Sequence, residues 1–592
     1  MNIRLTLSAI TLSLLSTTTY AETRTVDLAD YGIRPGNASS YTRKINATLS
    51  RALSDMNTND TLTLRFSPGK YNFFPDKSTQ RTLYISNHDQ TNPKQIGLLI
   101  ENATNLIIDG SGSELIFHGR MIPIAAAGCS NLTIKNLSID FEKPQIAQIE
   151  IIENDTINGF ITYRPAEWVD YSIKGGTFTH KGLNWTQTPC AGIAFDKQTR
   201  HIVYNTSDIA VGVHDVTSLG NNLIKAPWRN PKLSPGTIVA MRTYDRPTPG
   251  IFIDNCRDIA VINTSIHYAE GMGLIAQNTH NIRLNKFNVC LKGDNDPRYF
   301  TTQADATHFS GCSGLIESTE GLYEAMMDDA INVHGTYLKV TERIDSTTLI
   351  GEYMHPQSYG FRWAAPGDTV NIVSSRTMDL ATTGLIVAEI IPQNSNSDFG
   401  AKRFKVRFTQ SIPSTIDPSA GSFGLENMTA TPEVIFTGNV VRNNRARGAL
   451  FSTPRKVICN DNTFDHTSGC AVLLCGDCNG WYETGACHDV TISNNRFINS
   501  LTNLFQFTNA VISIYPEIPD LKNQTGYFHS NITITGNHFE TFDIPLLYAK
   551  SVDGLIFQGN TLTRNNDFPP LHWNKSQIWL ERVNDTRIQA IE

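Results

Sequence analysis

Val434-Ile435-Phe436-Thr437-Gly438-Asn439 is answered 23 positions later by Val457-Ile458-Cys459-Asn460, a short apolar strand that again ends at an Asn. Ile532-Thr533-Ile534-Thr535-Gly536-Asn537 leads at the same interval of 23 to Leu555-Ile556-Phe557-Gln558-Gly559-Asn560. Ile259 in Arg257-Asp258-Ile259-Ala260-Val261-Ile262-Asn263 and Ile282 in Asn281-Ile282-Arg283-Leu284-Asn285 are likewise 23 apart, while Leu106 and Leu132 are 26 apart. Units of this length cannot bury an apolar face alone, and stacking them builds a continuous core. The pattern therefore predicts an all-β fold, a right-handed parallel β-helix, with rungs about 4.8 Å apart. Asn suits the corners because it tolerates the left-handed conformation and can ladder through its amide. The Asn-x-Ser/Thr runs at Asn131 and Asn531 read as this corner chemistry. A β-sandwich predicts irregular spacing.

Two stretches break the period and divide the chain. Residues 22–144 form the first part of the β-helix. It opens on a capping helix from about Tyr41 to Met56, with Ser39 or Ser40 as its cap and Ile45, Leu49 and Leu53 on one face. Residues 145–250 alternate like antiparallel strands and predict an inserted β domain. Rungs resume over 251–336, a second inserted β-barrel-like domain occupies 337–430, and the β-helix continues over 431–592, with Trp573 and Trp579 as packing anchors.

At 592 residues the chain is too long for one compact core but suits an elongated solenoid. A net charge of −7 without a Lys/Arg-rich run argues against nucleic acid or an anionic membrane as partner and favours a neutral ligand. Residues 1–21 read as a signal peptide: Arg4, an apolar-rich run from Leu5 to Leu15, then Thr19-Tyr20-Ala21. That run is too short to span a bilayer and no later stretch approaches eighteen consecutive apolar residues, so the expected location is periplasmic or extracellular. Ten cysteines are too few for a disulfide scaffold in so long a chain. The cluster Cys470, Cys475, Cys478 and Cys487 is expected to be disulfides or buried thiols rather than a metal site, and Cys256 and Cys312 read as small core residues.

Chemistry concentrates between the insertions. Ala304-Asp305-Ala306-Thr307-His308-Phe309 and Met326-Met327-Asp328-Asp329-Ala330-Ile331-Asn332-Val333-His334-Gly335 place three aspartates, two histidines and an asparagine in about thirty residues. Asp305 and Asp328 are 23 apart, one rung, which predicts side chains close enough to form the carboxyl pair of a glycosidase, without deciding the stereochemistry. Mutual repulsion should raise at least one pKa, as a general acid requires, and leave the others to activate water. His308 and His334 can orient a carboxylate or bind a hydroxyl, and each fits a structural hydrogen-bonding role equally well.

These runs, with Glu270-Gly271-Met272-Gly273, resemble glycoside hydrolase family 110, and more distantly the polygalacturonases, which also carry three aspartates on a β-helix. The resemblance implies an exo-α-1,3-galactosidase that inverts the anomeric carbon, uses no metal or organic cofactor, and takes a galactose-terminated glycan. Carried over to this sequence, it implies Asp328 as general acid, with Asp305 and Asp329 sharing the activation of water. Candidate sugar-binding residues are Glu270, His308, Glu324, His334 and Arg447, with Trp481 and Tyr482 offering an aromatic face. The inserted β domains are candidate surfaces for a homo-oligomer. Competing readings on the same architecture are a polysaccharide lyase, for which Lys292 and Arg298 are not arranged as a base, a polygalacturonase-like hydrolase, and a non-catalytic glycan-binding β-helix.

Overall fold

The computed structural model describes residues 22–591 except positions 58, 394, 396 and 398, so the signal-peptide stretch 1–21 lies outside the described residues. Its body is a 31-stranded, mainly parallel sheet wound into a β-helix with three faces. One rung shows the pattern. Lys456–Asn460, Thr463–Asp465 and Val472–Leu474 lie on successive faces, and each pairs in parallel with its counterpart one rung on: Asp489–Ser493, Arg496–Ile498 and Ile512–Ile514.

The intervals read from sequence are ladder partners. Ile259 pairs with Ile282, Val434 with Val457, Ile532 with Leu555 and Leu106 with Leu132. Inside the coil, Phe464, Phe497 and Phe539 stack at 5.3 and 5.0 Å between ring centres. Beside them runs a buried amide ladder, Asn439–Asn462–Asn495–Asn537–Asn560, with side-chain hydrogen bonds of 3.0–3.1 Å between neighbours. Each amide from Asn439 to Asn537 donates to the next rung, and all five donate to a main-chain carbonyl, so the polar groups at the corner are paired without water.

The N-terminal helix covers Thr42–Ser54 and buries Ile45, Leu49 and Ala52 against the first rungs. It starts later than expected. Tyr41 is the N-cap and makes no side-chain cap bond, while Ser40 Oγ accepts only a long 3.4 Å bond from the Thr42 N–H. The four clustered cysteines are all free and buried, so the alternative of buried thiols holds, and Cys256 and Cys312 are buried in the core. Trp579 packs on Tyr548 at 4.8 Å and on Trp573 at 5.5 Å, although Trp573 itself is 57% exposed.

Between Phe141 and Ile251 the chain leaves the coil to build a six-stranded antiparallel sheet from strands including Ala147–Asp155, Ala191–Phe195 and Ile238–Arg242, plus a small three-stranded sheet. Between Thr336 and Pro432 it builds a closed six-stranded barrel running from Leu338–Arg343 to Phe423–Asn427. The first excursion leaves and rejoins the coil at the corner that precedes the face formed by Ile251–Asp254, Leu274–Gln277, Thr307–Ser310 and Ile331–Thr336, and that corner carries the site, while the barrel leaves from the far end of this face, after Thr336.

Candidate active site

Three consecutive rungs enter the same face through this corner. Asp305 precedes the strand Thr307–Ser310, Asp328 and Asp329 precede Ile331–Thr336, and Arg445 and Arg447 precede Ala449–Phe451. Backbone bonds tie the corner rung to rung: the Ala306 N–H donates to Asp329 O at 2.8 Å and the Ala330 N–H to Gly448 O at 2.8 Å. The register corrects the one-rung match of Asp305 to Asp328. Thr307 pairs with Ile331, an interval of 24, and so Asp305 stacks on Asp329, whose N–H reaches Asp305 Oδ1 at 3.4 Å. Asp328 sits one residue earlier. One carboxylate oxygen from each of the three lies within 4.8 Å of the others.

The triad forms the floor of a cleft of about 980 Å³ that opens to solvent. The first inserted domain supplies Arg242, Tyr244 and Arg246 as it rejoins the coil, and the walls include Phe505, Phe507, Trp481 and Glu483. Asp328 faces three guanidiniums: Arg246 at 3.0 Å, Arg445 at 3.4 Å and Arg447 at 3.9 Å. Arg445 is held from behind by Asp208 of the same insertion through two bonds of 2.7 Å. Arg447 donates to Asp329 from its side chain at 2.9 Å and from its N–H at 3.1 Å.

Charge separates the three acids. Burial pushes the Asp305 carboxyl up to about 7, and the charge of Asp328 adds to the shift while Arg246 and Arg447 oppose it. Burial also drives Asp329 well above the usual range, against the pull of Arg447 and with repulsion from Asp328 and Asp305. For Asp328 burial again opposes ionisation, but Arg445, Arg447, Arg246 and Arg242 together outweigh it and hold the carboxyl low. Repulsion and burial thus raise two of the three, as expected, but the acid expected to carry the proton is the one kept ionised in the unliganded cleft. Three carboxylate oxygens at this spacing are also a donor set for a hard cation. Here the guanidiniums already balance their charge, which suits proton chemistry on a neutral polyol.

Of the sugar-binding candidates, His308, Arg447 and Trp481 line the cleft, and Tyr482 packs instead in a separate apolar cluster with Tyr337, Cys478 and Phe528. His334 lies behind His308 with their Nε2 atoms 2.8 Å apart. Two candidates are not brought in. Glu270, one rung earlier at the same corner, pairs with Arg120 at 3.2 Å and accepts from Thr248, and Glu324 is held by Arg442 at 2.6 Å and by the Leu291 N–H at 3.0 Å. Neither lines the cleft. Reading the sequence missed Arg242, Arg246, Arg445, Glu483 and Asn87, which lie far from the aspartates along the chain. Only Arg445 left a signal, two residues before Arg447 at the start of a rung. Two buried polar atoms of residues in the wall, Asn332 Oδ1 and Arg447 Nε, have no hydrogen-bond partner among the described residues.

Comparison with known proteins finds relatives along nearly the whole chain. Residues 147–239 match the family model described as GLAA-B beta-barrel domain I. The chain is 53% identical to a protein named Alpha-1,3-galactosidase B from Phocaeicola vulgatus, over 98% of this chain and 99% of that one. It belongs to the α-1,3-galactosidase family. A Bacteroides fragilis member named Alpha-1,3-galactosidase B is 53% identical over 98% of both chains. One from Parabacteroides distasonis is 52% identical over 95% of this chain and 92% of that one. In α-1,3-galactosidase terms the matched segment 147–239 is the first insertion, whose returning chain delivers Arg242 and Arg246 to the cleft.

Proposed function

We propose that the protein is an exo-acting glycoside hydrolase of family 110 that releases terminal α-1,3-linked galactose from glycans with inversion, without metal or organic cofactor. The observation that carries this reading is the buried carboxyl triad, oxygens within 4.8 Å, at the floor of a cleft in a chain half identical to proteins named Alpha-1,3-galactosidase B. Galactose would sit on the floor. Arg246, Arg447 and Asn332 would meet its hydroxyls, and the rings of Trp481, Phe505 or Phe507 its apolar face. Asp328, with 11% of its side chain exposed against 4% for Asp305 and 1% for Asp329, is the carboxyl nearest the mouth. An exo enzyme's leaving group lies toward the mouth, so Asp328 is the general acid, and the deeper Asp305 and Asp329 hold and deprotonate water. Because Asp328 rests ionised, it takes its proton from Asp329, which burial holds protonated in the same triad, and the three carboxyls titrate as one group. The leader-like start supports action in the periplasm or outside the cell.

The test is to incubate the protein with branched and linear α-1,3-galactosides and follow free galactose and its anomer by NMR. Early β-galactose is the expected product, and no release from any of them would sink the activity. Retention is the alternative outcome, in which α-galactose appears first.

A further inference from the structure

Behind Asp305 a chain of imidazoles runs into the body of the protein. Asp305 Oδ2 lies 2.7 Å from His308 Nδ1, His308 Nε2 lies 2.8 Å from His334 Nε2, and His334 Nδ1 lies 2.6 Å from the carbonyl of Gly335. The Glu483 carboxylate, which accepts from Asn87 Nδ2 at 2.9 Å, stands 3.5 Å from His334 Nε2. All four titratable side chains are buried or nearly so; 15% of Glu483 is exposed, at the cleft.

The carbonyl at the far end fixes the proton count. It can only accept, so His334 Nδ1 carries a hydrogen. If His334 is neutral, its Nε2 is a lone pair, His308 must donate to it from Nε2, and neutral His308 then presents a lone pair at Nδ1. Asp305 must in turn be protonated and donate. The other complete arrangement moves one hydrogen along each bond. Asp305 gives its proton to His308 Nδ1, His308 passes its Nε2 proton to His334, and the result is an Asp305 carboxylate, a neutral His308 and a His334 imidazolium beside Glu483. Both arrangements contain the same protons and pair every atom. Removing the last proton leaves two lone pairs facing each other at 2.8 or 2.6 Å in a dry setting, which is costly.

We propose that Asp305, His308 and His334 form a one-proton relay, with Glu483 as the counter-ion that draws the proton to the His334 end and leaves Asp305 ionised. The proposal rests on the catalytic role given to the triad and adds how Asp305 serves as a base despite its burial. In turnover the proton that Asp305 takes from water replaces, within the triad, the one that Asp328 gives to the glycosidic oxygen, while the relay's own proton stays at the His334 end and presents Asp305 as a carboxylate at the start of each cycle. His308, His334 and Glu483 are positioning residues in this scheme, acting through Asp305. The other charged or titratable groups facing the chain are Asp328, Asp329, Arg246, Arg447, His88, His355 and Cys475. His88 is buried and held neutral by burial.

Glu483→Gln tests the relay because two accounts of Glu483 predict opposite signs. If it acts on Asp305 only as a nearby negative charge, removing it eases ionisation, and the acid limb of kcat/KM moves to lower pH. If the relay operates, Gln no longer stabilises the His334 imidazolium, Asp305 keeps its proton, and the limb moves up. A rise of about one pH unit, a loss of about tenfold on the acid side, is expected. His334→Gln, which cannot become a cation, should raise the limb in the same direction, and His308→Asn, which breaks the chain, should do so too. Limb position is read independently of plateau height, with melting temperature confirming that each variant is folded. A limb that stays put or falls in Glu483→Gln overturns the relay. Near-native turnover by Asp305→Asn would instead overturn the catalytic reading of the triad, so the two failures are distinguishable.

Discussion

Asp328→Asn is the substitution that separates position from resting charge. It removes a carboxylate approached by three guanidiniums, but Arg447 keeps Asp329 at 2.9 Å and Arg445 keeps Asp208 at 2.7 Å. Arg246 is the one that loses its carboxylate partner. Stripping a buried pair of one member costs about 3–5 kcal/mol, and the Asn oxygen still accepts from Arg246, so the loss stays below that and the fold survives. If Asp328 protonates the glycosidic oxygen, turnover of an α-1,3-galactoside should fall by about 10²–10⁴. α-Galactosyl fluoride, whose leaving group needs little proton assistance, should lose no more than about tenfold. The pH profile on the fluoride carries a second sign. Asp328 is the strongest of the charges raising Asp305, so its removal lowers the Asp305 pKa from about 7 and the acid limb moves to lower pH. Equal losses on both substrates would refute the assignment. If Asp305→Asn or Asp329→Asn were the variant spared on the fluoride, the proton donor would be where the unliganded charges already place the proton.

Asp305→Asn and Asp329→Asn should each lose activity on both substrates by about 10²-fold or more, with the melting temperature little changed. Glu324→Gln should leave kcat/KM within about twofold, because Glu324 is bonded to Arg442 and the Leu291 N–H outside the cleft. Asn495→Ala breaks the amide ladder between Asn462 and Asn537, and calorimetry should show a cost of about 1–3 kcal/mol for each group left unpaired. Glu426, buried at the barrel–coil junction, is pushed by burial up to about 7. A raised carboxyl favours the folded state fully below its unfolded value, and that contribution is lost as pH rises through about 7. Glu426→Gln should therefore raise the melting temperature at pH 8, by up to about 3 kcal/mol of stability, and change it little at pH 4.

The coil was legible because its information is local and repeated. A strand such as Val457–Asn460 must show its apolar face at the same interval as its neighbours, and a slip of one residue would turn Val457 and Cys459 outward. Where the repeat is interrupted the precision fails. The run between Asp305 and Asp328 contains a bulged rung, with a register shift in the strand pairing of His280 and Ile282, and the interval there is 24 instead of 23. Glu270 and Glu324 show the opposite error. Both lie in acid-rich sequence near the right corner, yet each is spent on a local arginine, and sequence distance does not reveal whether a carboxylate already has a partner. Arg246 and Glu483 were invisible because nothing periodic links an insertion's return strand and a loop to the aspartates they meet.

The two kinds of element divide the work of the site. Rungs set spacing: backbone bonds between Ala306 and Asp329 and between Ala330 and Gly448 fix how far apart the carboxyls stand, and no side chain needs to choose that distance. Excursions from the coil set charge, through Arg246 and Asp208 from the first insertion and Glu483 from the segment between Cys478 and Cys487. A bare corner with three buried aspartates would protonate until repulsion was relieved. With guanidiniums on the mouth side and imidazoles on the inner side, the same three carboxyls are held in different protonation states, which is what an acid and a base in one site require. Changes to the inserted domain should therefore move the pH profile before they move the fold of the coil, and Arg246→Gln is the simplest such change. Asp328 would lose one of the cations holding it low, and the fraction of enzyme carrying its proton at neutral pH should rise. An unchanged profile in that variant would mean that Arg445, Arg447 and Arg242 set the charge of Asp328 without it.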